Sequence, residues 1–371
     1  MSIYSRGVRP LLFRFNAEIV HHATVEACRW AGWMPSTKFL TQSLRGVLAP
    51  ELGTEVAGLR FENPIGLAAG WDKSGRALRM LDHLGFGFAE IGSISAQPSR
   101  GNPRPRLFRL PEERAIVVNY GLPNEGAQMV AGRLIKYRPR IPLGVNIVTT
   151  NHGPDAPPCQ ADEIFADYAR SVALVHQHAS YLTLNLSCPN ALDGKDFFAI
   201  PGRISQLLER LRESSIQCPV FLKLPPSELA ADHDRWLTEV DAYNFVRGFM
   251  FNLAPGKPDW LLWKHPPTDW NGMPGAVAGA PVATRINNCI AGLAGRMDRR
   301  RYAIIGGGGV FSAEDAWHKI ERGAALVQIY TALIYEGPGI VRQINEGLSS
   351  RLHERGMSHL FEAVGCALKN H

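Results

Sequence analysis

Eight short apolar runs recur along the chain, and their rhythm constrains the fold more than any other feature. They are Pro64–Ala69, Phe88–Ile94, Pro142–Val148, Tyr181–Leu186, Val220–Leu224, Gly248–Leu253, Ala303–Ile305 and Leu326–Tyr330. Stretches able to hold a helix separate most of them, among them Ala161–His178, Ile204–Ser214, Ala230–Asp241 and Ser312–Arg322. Eight strands alternating with helices predict an α/β chain folded as a (β/α)8 barrel, and 371 residues suffice for such a barrel with a small appendage. The Pro-, Gly- and Trp-rich region Ala254–Pro281 reads as a long ordered loop after the sixth strand.

Residues 1–48 have a different texture and are read as an N-terminal helical extension to a barrel domain spanning 49–371. Val8–Phe15, Ile19–Val25 and Ser36–Leu48 place apolar groups at helical spacing beside Arg and His. Such helices either lie on a membrane surface or cap the barrel, and periodicity leaves both open.

Composition removes several classes of function. An apolar share of 45% with 20% charged residues describes a soluble globular chain with a substantial core. The net charge of +6 is modest, and its basic runs, Arg133–Arg140 and Arg296–Arg301, read as solvated faces, so no nucleic-acid partner is expected. The cysteines at 28, 159, 188, 218, 289 and 366 include no C-x-x-C pair, which argues against a metal centre, an iron–sulfur cluster or a secreted disulfide scaffold. With no apolar run of membrane-spanning length and no signal-peptide h-region, a cytoplasmic location is expected.

Polar and small residues gather where the strands of a barrel end. Ala68-Ala-Gly-Trp-Asp-Lys73 follows the first strand, Ser93 ends the second, Asn146 the third and Asn185 the fourth, while Lys223 stands on the fifth. The seventh strand runs into Gly306-Gly-Gly-Gly309 and the eighth ends at Tyr330-Thr331. Glycines opening a helix expose backbone N–H groups to a phosphate, at the place where barrels often bind one. A lysine such as Lys223 inside the barrel suits stabilisation of a reduced, anionic flavin ring. The loop Asn185-Leu-Ser-Cys-Pro-Asn190 presents two carboxamides that can hold a polar ring and a thiol, Cys188, that can exchange a proton with it.

Asn63-Pro-Ile-Gly-Leu-Ala-Ala-Gly-Trp-Asp-Lys73, Glu90-Ile-Gly-Ser93, Gly101-Asn-Pro-Arg-Pro-Arg-Leu-Phe-Arg-Leu-Pro111 and Leu326-Val-Gln-Ile-Tyr-Thr-Ala332 resemble dihydroorotate dehydrogenase. The resemblance is to its membrane-associated, quinone-using class 2 and covers nearly the whole chain. It implies FMN contacts at Ala68, Ala69, Gly70, Ser93, Asn146, Asn185, Lys223, Gly279, Gly308, Gly309, Tyr330 and Thr331. It implies that Lys73 touches both flavin and substrate, and that a quinone is contacted by His21, Arg109 and Tyr330 beneath the N-terminal helices. Peripheral attachment to the inner face of the cytoplasmic membrane follows from the same resemblance. A tRNA dihydrouridine synthase, also an FMN barrel, is the more distant likeness and carries an RNA-binding domain for which no sequence is seen here.

Two departures from the family stand out. Cys188 occupies the place of the class 2 serine base, as in soluble class 1 members, and Gly121-Leu-Pro-Asn124 is also similar to class 1. Cysteine titrates far closer to neutrality than a serine hydroxyl, near ~8.5. The substrate region, read as Lys73, Val118, Asn119, Tyr120, Gly121, Leu122, Asn185, Asn190, Asn252 and Leu253, keeps two of the family's four asparagines, Asn185 and Asn190. Ungapped alignment puts Val118 and Leu253 at the other two, although a one-residue slip would bring in Asn119 or Asn252. The expectation is an FMN- and quinone-dependent dehydrogenase of a dihydro-heterocycle less polar than dihydroorotate, with orthodox dihydroorotate oxidation as the alternative.

Overall fold

The structure, a computed structural model, describes residues 4–45, 49–153, 155–187, 197–265, 268 and 272–368. Cys188 and Asn190 therefore lie outside the described residues. Strands are numbered along the chain. β1 (Thr54–Val56) and β2 (Leu59–Phe61) form a hairpin, followed by β3 (Ile65–Leu67) and β4 (Phe88–Ile94). β5 (Leu107–Leu110) and β6 (Ala115–Val118) form a second hairpin, and β7 (Leu143–Ile147), β8 (Tyr181–Asn185), β9 (Val220–Lys223) and β10 (Val246–Phe251) follow. The chain ends with β11 (Ala276–Gly279), β12 (Ala303–Gly306) and β13 (Ala324–Ile329).

β3, β4, β7, β8, β9, β10, β12 and β13 close into one parallel barrel in chain order, with β13 returning to β3. These are the eight apolar runs, within a few residues at each end. Their side chains are buried towards both the lumen and the surrounding helices, which is why the runs read as continuously apolar. Large rings fill the lower lumen where a neighbouring strand has glycine. A Cβ on Gly66 would stand 2.3 Å from the Phe88 ring, and one on Gly144 would stand 2.2 Å from that of Tyr181. The β1–β2 hairpin closes this end, contributing Val56 and Phe61 to the same cluster.

The expected loop Ala254–Pro281 is only partly a loop. Its end is β11, which pairs antiparallel with β6, so that β5, β6 and β11 form a separate three-stranded sheet. Ala276-Val-Ala-Gly is too short and too small-sided to announce a strand, and its register is supplied by the β5–β6 hairpin.

A helix at Ala17–Ala31 begins at Asn16, whose Oδ1 accepts from the backbone N–H groups of Glu18 and Ile19. A buried ion pair ties it to the body: Glu18 Oε1 lies 2.7 Å from Arg106 Nη2. Tyr4 donates to the Ile334 carbonyl at 2.9 Å, and Arg9 to that of Tyr335 at 2.8 Å. Leu11, Phe15, Ile19, Trp30, Trp33 and Phe39 remain exposed. Among the described residues, no helix is long and apolar enough to cross a membrane. The basic run at 296–301 is partly paired, with Arg296 on Asp234 and Arg301 on Asp241.

Candidate active site

The C-terminal strand ends line a cavity of about 1080 Å³ that is open to solvent on one side. Ala68, Ala69 and Gly70, directly after β3, give it a wall of backbone, and Lys73 follows in the same loop. Ser93 from β4, Asn185 from β8, Lys223 from β9, and Gly308, Gly309, Tyr330 and Thr331 from the last two strand ends also line it. Asn146 does not reach the cavity. It is fully buried behind Ser93, whose Oγ donates to Asn146 Oδ1. Gly279 is not part of the lining either, whereas its neighbour Ala278 is.

A connected hydrogen-bond network forms the floor. Asn185 Nδ2 donates to Ser93 Oγ at 3.2 Å, and Asn146 Nδ2 donates to Glu90 Oε1 at 2.7 Å. Glu90 Oε2 accepts from Tyr181, Thr183 and Gln328 at 3.1, 2.9 and 3.1 Å. Burial pushes the Glu90 carboxyl above its ordinary range, opposed by these donors and by the charge of Lys223. Lys223 and Gln328 thus stand at the cavity with a carboxyl behind them. Glu90 and Gln328 were not singled out from sequence, yet a polar residue inside an otherwise apolar barrel strand was the available signal.

Gly308 and Gly309 both adopt φ of +73°, and a Cβ on Gly308 would lie 2.5 Å from the Asn252 carbonyl oxygen. One on Gly309 would lie 2.5 Å from the Ala283 Cβ. Only glycine permits that backbone to bend along the cavity wall.

The opposite wall is apolar. Ile116, Val118 and Tyr120 enter from β6 and the residues after it, joined by Leu122, Leu253, Ala278, Val310 and Phe311. Asn119 and Gly121 do not line it. Asn119 Oδ1 faces away and accepts from Asn102 Nδ2 at 3.0 Å, while its backbone N–H bonds to the Arg106 carbonyl. Strand alternation thus places Val118 at the cavity, with no slip that would bring in Asn119. After β10 the outcome differs, since Asn252 and Leu253 both line the cavity and the Asn252 Oδ1 is buried with no hydrogen-bond partner among the described residues.

Lys73 is half-buried, its ammonium over the Tyr120 ring at 4.1 Å and its Nζ 2.7 Å from His21 Nε2. Burial, helped by the charge of Arg106, lowers its pKa to about 7 against the opposing pull of Asp72 and Glu18. Burial and the Lys73 charge hold His21 well below the usual imidazole range.

A second cavity, of about 1070 Å³, lies beneath the N-terminal helices and is lined mostly by apolar side chains, including Leu12, Phe13, Val20, Leu44, Leu107 and Ile334. His21, Arg109 and Tyr330 all line it, and Tyr330 also lines the first. Arg109 holds the helical segment, donating to the Leu12 carbonyl at 3.2 Å and to that of Phe15. Among the described residues, no cluster of side chains is suited to a metal ion.

The dihydroorotate dehydrogenase family model matches residues 51–352. The chain belongs to the dihydroorotate dehydrogenase family. It is an oxidoreductase with that family's parallel barrel. It is 37% identical over 360 residues to a protein named dihydroorotate dehydrogenase (quinone) from Mycobacterium tuberculosis, covering 97% of each chain. A protein of the same name from Gloeobacter violaceus is 36% identical over 377 residues, covering 99% of each. Among solved structures, DHODH in complex with ferulenol from Eimeria tenella aligns with a TM-score of 0.79 at 25% identity, covering 94% of this chain and 95% of that one. Family membership thus rests on the full length of the chain, N-terminal helices included.

Proposed function

We propose that this protein is an FMN-dependent dehydrogenase that oxidises a C–C single bond of a small dihydro-heterocycle less polar than dihydroorotate and passes the electrons to a quinone. The observation that carries the substrate reading is the position of Val118 and Leu253. Both line the cavity, and Asn119 is turned away from it.

The residues present fit FMN. The glycine cradle at Gly308 and Gly309, which a Cβ would fill, suits a phosphate. Ser93, Asn185 and Lys223 offer donors to a polar ring edge, held by Asn146 and Glu90 behind them. When bound, the cofactor accepts hydride from the substrate. Asn185 orients the substrate ring and Lys73 places a positive charge beside it. Cys188 is the proton-accepting base and Asn190 a second orienting amide, both assigned from the sequence. Val118 and Leu253, with Ile116 and Phe311 beside them, exclude water and receive a hydrocarbon edge of the substrate.

The second cavity, with His21, Arg109 and Tyr330 in its wall, is the quinone site in this reading. The N-terminal extension over residues 1–48 is its entrance. The exposed Leu11, Phe15, Ile19, Trp30, Trp33 and Phe39 supply a peripheral contact with the inner face of the cytoplasmic membrane.

Orthodox dihydroorotate oxidation is the second reading, favoured by the unpartnered Asn252 Oδ1 in the cavity wall and by the quinone-linked relatives. Steady-state turnover of the purified holoenzyme with dihydroorotate and a soluble quinone decides between them. The first reading expects turnover only at high substrate concentration, and efficient turnover at micromolar dihydroorotate would establish the second.

A further inference from the structure

Lys73 and His21 stand where three cavities meet. Lys73 lines the cavity at the strand ends, and His21 lines the apolar cavity beneath the helices. Both also line a third, polar cavity of about 740 Å³, together with His22, Glu26, Asp72, Arg76 and Glu125. This third cavity reaches solvent past half-exposed side chains, His22 at 51% and Arg76 at 43%. Neither Lys73 nor His22 lines the apolar cavity.

Reduction of a quinone to a quinol forms an O–H bond at each oxygen and consumes two electrons and two protons. On the proposed reading, substrate supplies both electrons and one hydrogen by way of the cofactor. The substrate's other hydrogen leaves as a proton at the base, so a proton must be returned at the quinone from solvent. The lining of the apolar cavity is mostly hydrocarbon, with Tyr4, His21, Thr24, Arg109 and Tyr330 among its few polar side chains.

We propose that His21 is the proton donor to the quinone and that Lys73 recharges it from the polar cavity. An ammonium has donors and no acceptor, so the 2.7 Å contact makes His21 Nε2 the acceptor and leaves the hydrogen of the neutral ring on Nδ1. Nδ1 faces Tyr330 Oη at 3.3 Å, on the quinone side. In the transfer, the Nδ1–H bond breaks as the quinone O–H bond forms, and a proton moves from Lys73 Nζ to Nε2. Lys73 becomes a neutral amine and regains a proton from water in the polar cavity, and reorientation of the imidazole ring returns its hydrogen to the quinone side before the next turnover. The ionisable groups about this pair are Glu18, His22 and Glu26 on the N-terminal helix, Asp72 and Arg76 on the loop after β3, Arg104, Arg106, Tyr120 and Glu125 near β5 and β6, and Tyr330 after β13. Burial beside Arg106 brings Lys73 to about 7, which suits an amine that must both give and regain a proton near neutrality.

The proposal rests on the quinone reading, and the test separates the two. Holoenzyme reduced anaerobically with dithionite is mixed with a soluble short-chain quinone or with ferricyanide, which takes no proton, and flavin absorbance is followed. The substrate role of Lys73 is bypassed in this experiment. His21→Gln and Lys73→Met are each expected to lower the ratio of the quinone rate to the ferricyanide rate about 10²-fold, the size of a lost general acid, a ratio that cancels any change in the flavin caused by losing Lys73. The wild-type quinone phase should fall as pH rises through about 7, carry a solvent isotope effect, and lose that pH dependence in Lys73→Met. Wild-type quinone rates in both variants, or a loss in both explained by weaker quinone binding to the oxidised enzyme, overturn the relay alone. A wild-type enzyme that ferricyanide reoxidises and quinone does not overturns the quinone reading beneath it.

Discussion

Restoring amides to the apolar wall is the sharpest test of the substrate assignment. Val118→Asn and Leu253→Asn would each place a carboxamide at a position that already faces the cavity. Both side chains are half-buried, and asparagine is close to leucine in size, so the cost to folding should stay near ~1 kcal/mol for each. A polar group of a bound ligand left buried without a partner costs roughly 1–3 kcal/mol. At ~1.4 kcal/mol per tenfold, each amide should raise kcat/KM for dihydroorotate about five- to 150-fold, and the double variant about 25-fold to 2 × 10⁴-fold. The assay is initial-rate kinetics with dihydroorotate and a soluble quinone, alongside flavin content to show that the cofactor site is unchanged. The reasoning is refuted if the wild type already has a micromolar KM and the double variant improves kcat/KM by less than about threefold, inside the range of one unmade hydrogen bond. In that event Asn252 is the amide that serves the ring, and Asn252→Ala should abolish dihydroorotate turnover.

Gly308→Ala forces a Cβ to within 2.5 Å of the Asn252 carbonyl at a φ of +73°, so the variant should be isolated largely without flavin, as its visible spectrum would report. Lys319, fully buried with its Nζ on Asn287 Oδ1 at 2.8 Å, is brought by burial to about 7 from 10.5. That shift corresponds to ~5 kcal/mol, from which ~1–3 is lost when Asn287 is left unpaired, so Lys319→Met should stabilise the fold by about 2–4 kcal/mol at pH 7. Between pH 7 and 10.5 the unfolded chain holds the proton that the folded chain has lost, so wild-type stability rises with pH and the advantage of Met should fade by about pH 10 in urea titrations. Arg106→Leu leaves buried Glu18 without its nearest partner, at a cost of about 3–5 kcal/mol, and should release the N-terminal helix to limited proteolysis before the barrel.

The barrel was legible because parallel strands buried on both faces leave continuous apolar runs, and each of the eight appeared as one. The β5–β6–β11 sheet was not, since Ala115–Val118 and Ala276–Gly279 are four-residue strands whose identity comes from pairing across more than 150 residues. The choice between Val118 and Asn119 needed that sheet: once β6 is a strand ending at Val118, Ile116 and Val118 share a face, and the Asn119 side chain is held outside the cavity by Asn102. No such rule settles Asn252 against Leu253, because β10 ends at Phe251 and alternation ends with it. The contact between Lys73 and His21 joins residues 52 apart in the chain, and nothing in local pattern records it.

On the proposed reading, the placement of Val118 and Leu253 lets the cavity change its ligand and keep its chemistry. The floor network of Glu90, Asn146, Ser93, Asn185 and Gln328 stands on barrel strands, each fixed by two neighbours in the ladder. Val118 belongs instead to the three-stranded sheet added beside the barrel mouth, and Leu253 to the segment after β10. An amide exchanged for a hydrocarbon at those positions leaves every hydrogen bond of the floor in place. In a barrel whose specificity resides in the connections above the strand ends, such changes select the substrate without disturbing the cofactor's support. The double amide variant should therefore change kcat/KM while holding flavin as tightly as the wild type. A parallel loss of flavin would mean that wall and floor are one unit and that the ligand cannot be exchanged independently of the redox site.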